Sequence, residues 1–441
     1  MKKIIALLLA LVMVFALVAC GAKEPVANEE KTPATEQNTP AGEETPAGEE
    51  EDKGIDASHL GPIKIGHICD LTGIEALTGA QAQRYMDFAV QYVGPICGRE
   101  VQLIHKDSQS SPAAAVDAAR TLIEEDGVDM IIGPNLIGHK AAVANFAAGA
   151  GVPILFYSGT PIGMLKAGAG WVLSVTGSTA QLPTAMADYT YKEMGYDKVV
   201  TLTKDDSGGK AYMDPFTQNF TALGGEVLAQ AWTPTDDSTD YAAYLMALAE
   251  HVGTADCLVA WTSAGSAIQL WQAWYQLGLH ETLPVVACFH GSFTDSFLMD
   301  ELEKINPALV DAIIGTPAPM TWAYNLESKE NADFLEAYKA ANDGALPIGN
   351  NLPGSTVSAL LLVKAAVEKL EGVTEDHEAL LAAMKSSEVY GPEGYFSFQD
   401  DTGAATKDIY VVKVCEMEDG SYNYELAKKY EAVPSSGVPV G

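Results

Sequence analysis

The residues best suited to hold a small molecule stand directly after short apolar runs. Pro153-Ile-Leu-Phe-Tyr157 reads as a buried strand, and Ser158-Gly159-Thr160 follows at once. Gly159 lets the backbone approach a ligand closely. Ser158 and Thr160 offer hydroxyls, and the loop's N–H groups can face an anion. An ordinary loop built from turn residues is the competing reading. The same arrangement recurs at other strand ends. Met130-Ile-Ile132, closed by Gly133-Pro134, leads into Asn135-Leu136-Ile137. Lys198 to Thr203 leads into Asp205-Asp206-Ser-Gly-Gly209, where Asp206 is a partner for a ligand ammonium or a helix cap. Trp261, Thr262 and Ser263 close Cys257 to Trp261 with a ring and two hydroxyls, and Phe289-His290 close Pro284 to Phe289. A neutral His lacks the full negative charge an ammonium needs, which weakens an α-amino-acid ligand and leaves a carboxylate, amide or aromatic ligand stacked on Trp261 open. The sequence has no nucleophile elbow, Walker loop, H-E-x-x-H, paired C-x-x-C or dinucleotide glycine fingerprint in the required context. Its eight His are scattered without metal-ligand spacing, so neither a cofactor nor a metal is expected, and no enzymatic activity.

These loops need a scaffold, and the pattern around them is β-α-β-α. Ile63 to Cys69 and Val101 to His105 alternate as strands with helices over Ala80 to Tyr92, Pro112 to Glu125 (Ser111 at its N-cap) and His139 to Ala148. The pattern restarts with a helix over Thr179 to Glu193 behind Ser178. Strands over Lys198 to Thr203, Glu226 to Ala229, Cys257 to Trp261 and Pro284 to Phe289 then alternate with helices over Ala211 to Leu223, Tyr241 to Glu250 and Ala264 to Leu277. Such spacing requires crossover connections, hence parallel sheets covered on both faces. Two similar units make two lobes, and the seam between them is the expected ligand site. A strand over Ala312 to Thr316, a helix over Ser355 to Leu370 and a last strand over Tyr410 to Val414 are expected to join the two lobes rather than form a third domain. Trp271 and Trp274, in a helix with Leu270 and Leu277, read as packing.

The amino-terminal segment places the chain outside the cytoplasm. Lys2 and Lys3 precede the uncharged run Ile4 to Val18, which is too short for a comfortable membrane span and reads as a secretory h-region. Leu17-Val-Ala-Cys20-Gly21 resembles the bacterial lipobox, with Cys20 as the lipid-bearing residue of the mature protein. Residues 22–60 hold eleven acidic residues against three Lys and repeat Thr-Pro-Ala-Gly-Glu-Glu in tandem. That composition cannot offset its ordering entropy and predicts a disordered tether of roughly 35 Å root-mean-square span. Over the whole chain 26 Lys and Arg stand against 59 Asp and Glu, a net charge of −33, which argues against nucleic acid and against a polybasic membrane patch. With Cys20 set aside, Cys69, Cys97, Cys257, Cys288 and Cys415 remain, an odd number that leaves at least one free thiol. Most lie in apolar runs and read as small buried hydrophobes.

In order along the chain, Ile63-Lys-Ile-Gly, Leu71-Thr-Gly, Ala76-Leu-Thr-Gly79, Gly98-Arg-Glu-Val-Gln-Leu103, Asp107-Ser-Gln-Ser-Ser-Pro112, Asp126-Gly-Val-Asp-Met-Ile-Ile-Gly-Pro134, Ala150-Gly-Val-Pro153 and Ala222-Leu-Gly-Gly-Glu-Val227 form a set. With it, the chain resembles the type I periplasmic binding proteins, specifically the branched-chain amino-acid-binding group of ABC transporter components. The agreement runs from about residue 62 to 290 and more loosely to about 415. The resemblance implies an α/β fold of two Rossmann-like lobes joined by a multi-strand hinge. Residues 1–20 would be signal peptide and 21–60 linker. Residues 61–177 with 315–405 would form the first lobe, and 178–314 with 406–432 the second. It implies clamshell capture of a small polar solute, a branched-chain amino acid or a related carboxylate or amide, by a lipid-anchored monomer on the outer face of a bacterial membrane. The partner would be an ABC permease; a sensing subunit for a membrane receptor is the alternative. In the family the loop at Ser158-Gly159-Thr160 holds the ligand's carboxylate and amine, and Thr160 matches its Thr. The family's Ser near Leu136 or Ile137 is missing here, and Asn135 is the available substitute or a structural turn. Thr78 stands where some relatives have an aromatic residue facing the cleft, or else simply starts a helix. The family's Tyr near Gly208 and acidic residue near His290 are also missing.

Overall fold

A computed structural model describes residues 55–440 except 74, 235–238, 263, 290–293 and 348–349. The Cys20, Ser263 and His290 assignments, with the signal and most of the tether, lie outside the described residues. From Gly54 onward the chain forms one compact unit.

Its first sheet is parallel and ordered β2-β1-β3-β4-β5: β1 Ile63–Cys69, β2 Val101–Asp107, β3 Met130–Ile132, β4 Ile154–Phe156 and β5 Val172–Ser174. Its second is parallel and ordered β7-β6-β8-β9: β6 Lys198–Lys204, β7 Glu226–Thr233, β8 Cys257–Trp261 and β9 Val285–Ala287. The crossovers carry α1 Ala76–Val93, α2 Pro112–Glu124 and α3 Ile137–Ala150. After β4 come α4 Ile162–Ala167 and, beyond β5, α5 Gln181–Asp188. The second sheet's crossovers are α6 Ser207–Ala222, α7 Tyr241–Leu248 and α8 Ala264–Gln276. Both faces of the first sheet are therefore buried, as its near-continuous apolar strands require. On one face Ile63 and Ile65 meet Tyr85, Met86 and Ala89 of α1; on the other Ile68 and Ile131 meet Ala115, Leu122 and Val143.

Each lobe sets its first helix against its first strand by the same device. A Cβ on Gly79 would stand 1.9 Å from Asp70 O, and one on Gly209 would stand 2.0 Å from Lys204 O. Only glycine lets each helix begin directly over the strand end.

The tail departs from the sequence expectation. Ala312 to Ile313 end a helix over Pro307–Ile313, with Pro307 in its first turn, and the strand lies later, at β10 Pro317–Met320. Tyr410 to Val414 sit inside β13 Thr406–Glu416, which pairs with a further strand, β14 Tyr422–Val433. With the hairpin β11 Glu388–Gly391 and β12 Gly394–Ser397 these form a third, antiparallel sheet, so the tail strands extend neither parallel sheet. The helix expected over Thr179 to Glu193 is α5 followed by a π-helical turn at Tyr189–Glu193. Ser111 occupies the N-cap of α2 by backbone geometry, without a side-chain bond.

Candidate ligand-binding cleft

The loop after β4 is organised from below by a lysine. Lys140 lies in the first turns of α3 and has no exposed surface. Its Nζ lies 2.9 Å from Ser158 O, 2.7 Å from Ser158 Oγ, 2.9 Å from Gly159 O and 3.0 Å from Thr160 Oγ1. The Phe156 ring centroid is 5.0 Å away. Ser158 Oγ donates to Asn135 O at 2.8 Å, and Thr160 Oγ1 donates to Ser158 O at 3.0 Å. Both hydroxyl protons are thus used on carbonyls, and both oxygens turn lone pairs toward the ammonium. Among the described residues every hydrogen-bond partner of Lys140 is a neutral oxygen. Burial alone pushes its pKa well below the ordinary lysine value, with no charged neighbour to oppose it. Among the described residues no partner receives the Ser158 or Gly159 backbone N–H. Amide N–H groups left open in this way can hydrogen-bond an anion.

The remaining first-lobe candidates divide. Asn135 joins the loop through its carbonyl oxygen. Leu136 is the extended N-cap residue of α3. Ile137 is buried against Tyr212 and Phe216 of the second lobe, so the two lobes touch here. Thr78 lies in the first turns of α1, half-buried, and donates to Glu75 Oε2 at 3.3 Å.

The second lobe answers with rings. Phe289 stacks on Tyr212, with centroids 3.8 Å apart and planes 14° apart. Trp261 meets Tyr212 edge-on at 5.4 Å and Phe289 at 6.3 Å. A Cβ on Gly208 would come within 3.3 Å of the Trp261 ring, so Gly208 makes room for it. The Tyr212 hydroxyl reaches across to the loop: a Cβ on Gly159 would be 3.8 Å from it. Burial pushes that hydroxyl's pKa upward, so it is a neutral donor and acceptor. Thr262 is buried and its Oγ1 is bonded to Tyr241 OH at 3.0 Å. Asp206 caps α6, its Oδ1 accepting from Gly209 N at 2.7 Å.

Ser158, Gly159, Thr160 and Asn135 therefore meet around Lys140, and Trp261 and Phe289 meet around Tyr212. Thr78, Thr262 and Asp206 are engaged locally. Lys140 and Tyr212 were missed by sequence reasoning. The signal for Lys140 was a single cation in the otherwise apolar stretch of α3; Tyr212, four residues before Phe216 and eight before Phe220, read as one face of a packing helix. Next to the loop, an open pocket of about 400 Å³ lies between Pro161 and Ile162 on one side and Ser207, Lys210 and Asp214 on the other. Its size suits a small solute. Lys140, Ser158 and the rings of Tyr212, Trp261 and Phe289 are not part of its lining.

A family model described as a periplasmic binding protein matches residues 62–420. A Leu/Ile/Val-binding protein homolog of Brucella melitensis is 22% identical over 388 residues, covering 87% of this chain and 95% of its own. Among solved structures, an ABC transporter substrate-binding protein from Sphaerobacter thermophilus superposes with a TM-score of 0.77 at 25% identity, over 85% of this chain and 99% of that one. A solute binding protein of an ABC transporter from Rhodopseudomonas palustris, in complex with 3,4-dihydroxybenzoic acid, superposes with a TM-score of 0.74 at 25% identity, over 85% and 98%.

Proposed function

The chain belongs to the periplasmic binding proteins and is a solute-binding component, and from that premise we propose that its solute is a small carboxylate with an aromatic or apolar body. The observation that carries this is Lys140, a buried lysine whose hydrogen-bond partners among the described residues are neutral oxygens of the loop after β4. A molecule of net charge −33 repels anions at long range, so an anionic ligand needs local positive charge at its seat. The aromatic cluster of Tyr212, Trp261 and Phe289 supplies a surface for the ligand's body. The dihydroxybenzoate bound by the Rhodopseudomonas protein has this chemistry. An α-amino acid fits less well, since Asp206, the acidic residue at the start of α6, is engaged as a helix cap.

In this reading the carboxylate sits over Ser158 and Gly159, its body lies against the rings, and the lobes hand it to an ABC permease without chemical change. The lobe boundaries are those given above, 61–177 with 315–405 and 178–314 with 406–432. Cys20 carries lipid, the residues from 21 to the start of the described chain form the tether, and the protein works as a monomer outside the cell membrane. The last residues expected in the tether belong to the body instead, since Ala57 is buried with its N–H donating to Cys97 O and Ser58–Leu60 form a helical turn. Membrane fractionation tests the anchor: Cys20→Ala should move the protein to the soluble fraction.

The ligand class is tested by thermal shift with benzoate, 4-hydroxybenzoate and 3,4-dihydroxybenzoate against benzamide, leucine and isoleucine. A ligand at a hundred times its dissociation constant adds roughly 2.7 kcal/mol to stability. The carboxylates should raise the melting temperature and benzamide should not. A shift with leucine or isoleucine alone would overturn the aromatic assignment.

A further inference from the structure

The first sheet brings together three donor atoms that lie far apart in sequence. His67 and Cys69 are two residues apart on β1, so the strand's period of two sends both side chains to one face. His105 lies on β2 in register with His67. As a result one imidazole nitrogen from each of His67 and His105 and the Cys69 sulfur all come within 4.8 Å of one another. The two imidazoles meet at 2.9 Å, Nδ1 to Nδ1, with rings crossed at 73°. His67 is fully buried, Cys69 is 1% exposed, and the His105 side chain is 17% exposed at the edge of the cluster. The thiol is free.

We propose that His67, Cys69 and His105 bind one thiophilic d10 cation, Zn2+ or Cu+, through two Nδ1 atoms and one thiolate. The donor set selects this class: a thiolate with two imidazoles suits soft or borderline ions and excludes Ca2+ and Mg2+, which require oxygen. The outer nitrogens are already held as metal-bound histidines require. His105 Nε2 lies 2.9 Å from Asp87 Oδ1, and His67 Nε2 lies 3.3 Å from Tyr157 OH. A carboxylate behind His105 fixes the proton on Nε2 and leaves the Nδ1 lone pair facing the cluster. In the metal-free protein, His67 Nδ1–H donates to that lone pair, and Tyr157 donates to His67 Nε2. When the cation binds, the His67 proton moves to Nε2, where the Tyr157 oxygen accepts it, and the Cys69 proton leaves to solvent as the thiolate forms. With metal–nitrogen bonds near 2.0 Å the two Nδ1 atoms must part to about 3.4 Å, a movement that side-chain rotation supplies. Among the described residues three inward donors without a fourth favour the low coordination Cu+ accepts; a water reaching in beside the partly exposed His105 would complete a Zn2+ site.

The site is separate from the ligand seat but linked to it through the strand end. Cys69 is the last residue of β1. The next residue, Asp70, accepts from Ser108 Oγ at 2.5 Å and faces His139 Nδ1 at 3.5 Å, immediately before Lys140. A bound cation would clamp β1 to β2 at the cleft end of the first sheet.

The test is anaerobic titration of the reduced protein with Zn2+ and, separately, with Cu+, each in competition with a chromophoric chelator. One tight equivalent of at least one ion is expected, and which ion binds more tightly identifies the metal. Cys69→Ser and His105→Gln should each weaken that equivalent by a hundredfold or more. Cys257→Ser, which removes a buried thiol elsewhere, should leave it unchanged. Circular dichroism checks each variant, and His105→Gln, at the cluster's exposed edge, keeps the test readable if Cys69→Ser fails to fold. X-ray absorption of the loaded protein should show one sulfur and two nitrogens. Absence of a one-to-one phase for both ions, its survival in His105→Gln, or a shell of several sulfurs would overturn the proposal.

Discussion

Lys140 and Lys407 are both fully buried, and the fold treats their charges oppositely. Lys407, on β13, lies 2.8 Å from Glu393 Oε2, in the turn between β11 and β12. The other oxygen of Glu393 accepts from Thr321 Oγ1 at 2.5 Å. Lys407 also lies near the Phe396 ring, much as Lys140 lies near Phe156. Lys140 has hydroxyl and carbonyl oxygens but no carboxylate. A buried ion stripped of water is costly unless a counter-charge meets it. The chain supplies that charge to Lys407, which makes Lys407 part of the scaffold. At Lys140 the described residues supply only dipoles, which in the proposed reading leaves the balance to an anionic ligand. In that reading surroundings, not residue type, separate the structural lysine from the proposed binding one.

The sharpest way to break this contrast is to remove the counter-charge. Glu393→Gln leaves Lys407 buried with neutral partners, the new amide and the Val175 carbonyl 3.5 Å away, and breaking a buried pair costs about 3–5 kcal/mol. Urea denaturation should show a lower midpoint with an unchanged slope, while the folded fraction keeps its ligand affinity. Stability within 1 kcal/mol of the parent would mean the pair is not the scaffold element described here.

Lys140→Met should do the reverse. Affinity for the carboxylate should fall by about 3 kcal/mol, roughly a hundredfold, because the anion loses a desolvated partner. The free protein should be as stable as the parent or more so, since a costly buried ion has been replaced by an apolar chain. Isothermal titration and denaturation separate the two effects. The pH dependence gives a second handle. Lys140 is depressed in the folded state relative to the ordinary 10.5. Between the folded value and 10.5 the unfolded chain therefore binds more protons, so stability rises with pH across that window. Relative to Lys140→Met, the ligand-free parent should gain stability as pH rises toward 10.5. A parallel pair of curves would show that Lys140 is not desolvated.

How much of this could be read in advance depends on how local each feature is. The strands Ile63 to Cys69, Met130 to Ile132 and Cys257 to Trp261 stand where their apolar runs place them, because runs bounded by turn residues encode parallel strands locally. The third sheet escaped for a local reason as well: β10 is Pro317-Ala-Pro-Met320, whose prolines argue against a strand, and β14 carries Glu425, Lys428, Lys429 and Glu431 on an outer strand that reads as polar chain. Within the site, Ser158 to Thr160 were visible as turn chemistry after a strand. The burial of Lys140 was not, because one cation on an alanine-rich helix is usually solvated and only the packing of α3 under β4 decides otherwise. The meeting of His67 with His105 depends on strand register across 38 residues, which no spacing rule reads.

On the second-lobe side the expected effects are smaller, since rings contribute area rather than charge. Trp261→Ala removes the half-buried indole that meets both Tyr212 and Phe289. Aromatic anchors at binding surfaces typically contribute about 2 kcal/mol when truncated, here a loss of roughly 30-fold for an aromatic carboxylate. Acetate, which has no ring, should be unaffected by the substitution. Equal losses for benzoate and acetate would show that Trp261 supports the fold and not the ligand's body.

The smallest effect should come from Tyr212→Phe, and it probes the point where the two lobes meet. Tyr212 packs its ring on Phe289 and holds its hydroxyl toward Gly159. The substitution keeps the stack and removes one hydrogen-bonding group. If that hydroxyl meets the bound carboxylate beside the Ser158 and Gly159 amides, affinity should fall by about 1 kcal/mol, roughly fivefold, while the free protein's melting temperature changes little. Combined with Lys140→Met, the loss should be smaller than the sum of the two single losses, because both groups would act on the same anion. Full additivity in that double-mutant cycle would place the hydroxyl away from the carboxylate and confine the second lobe's role to its rings.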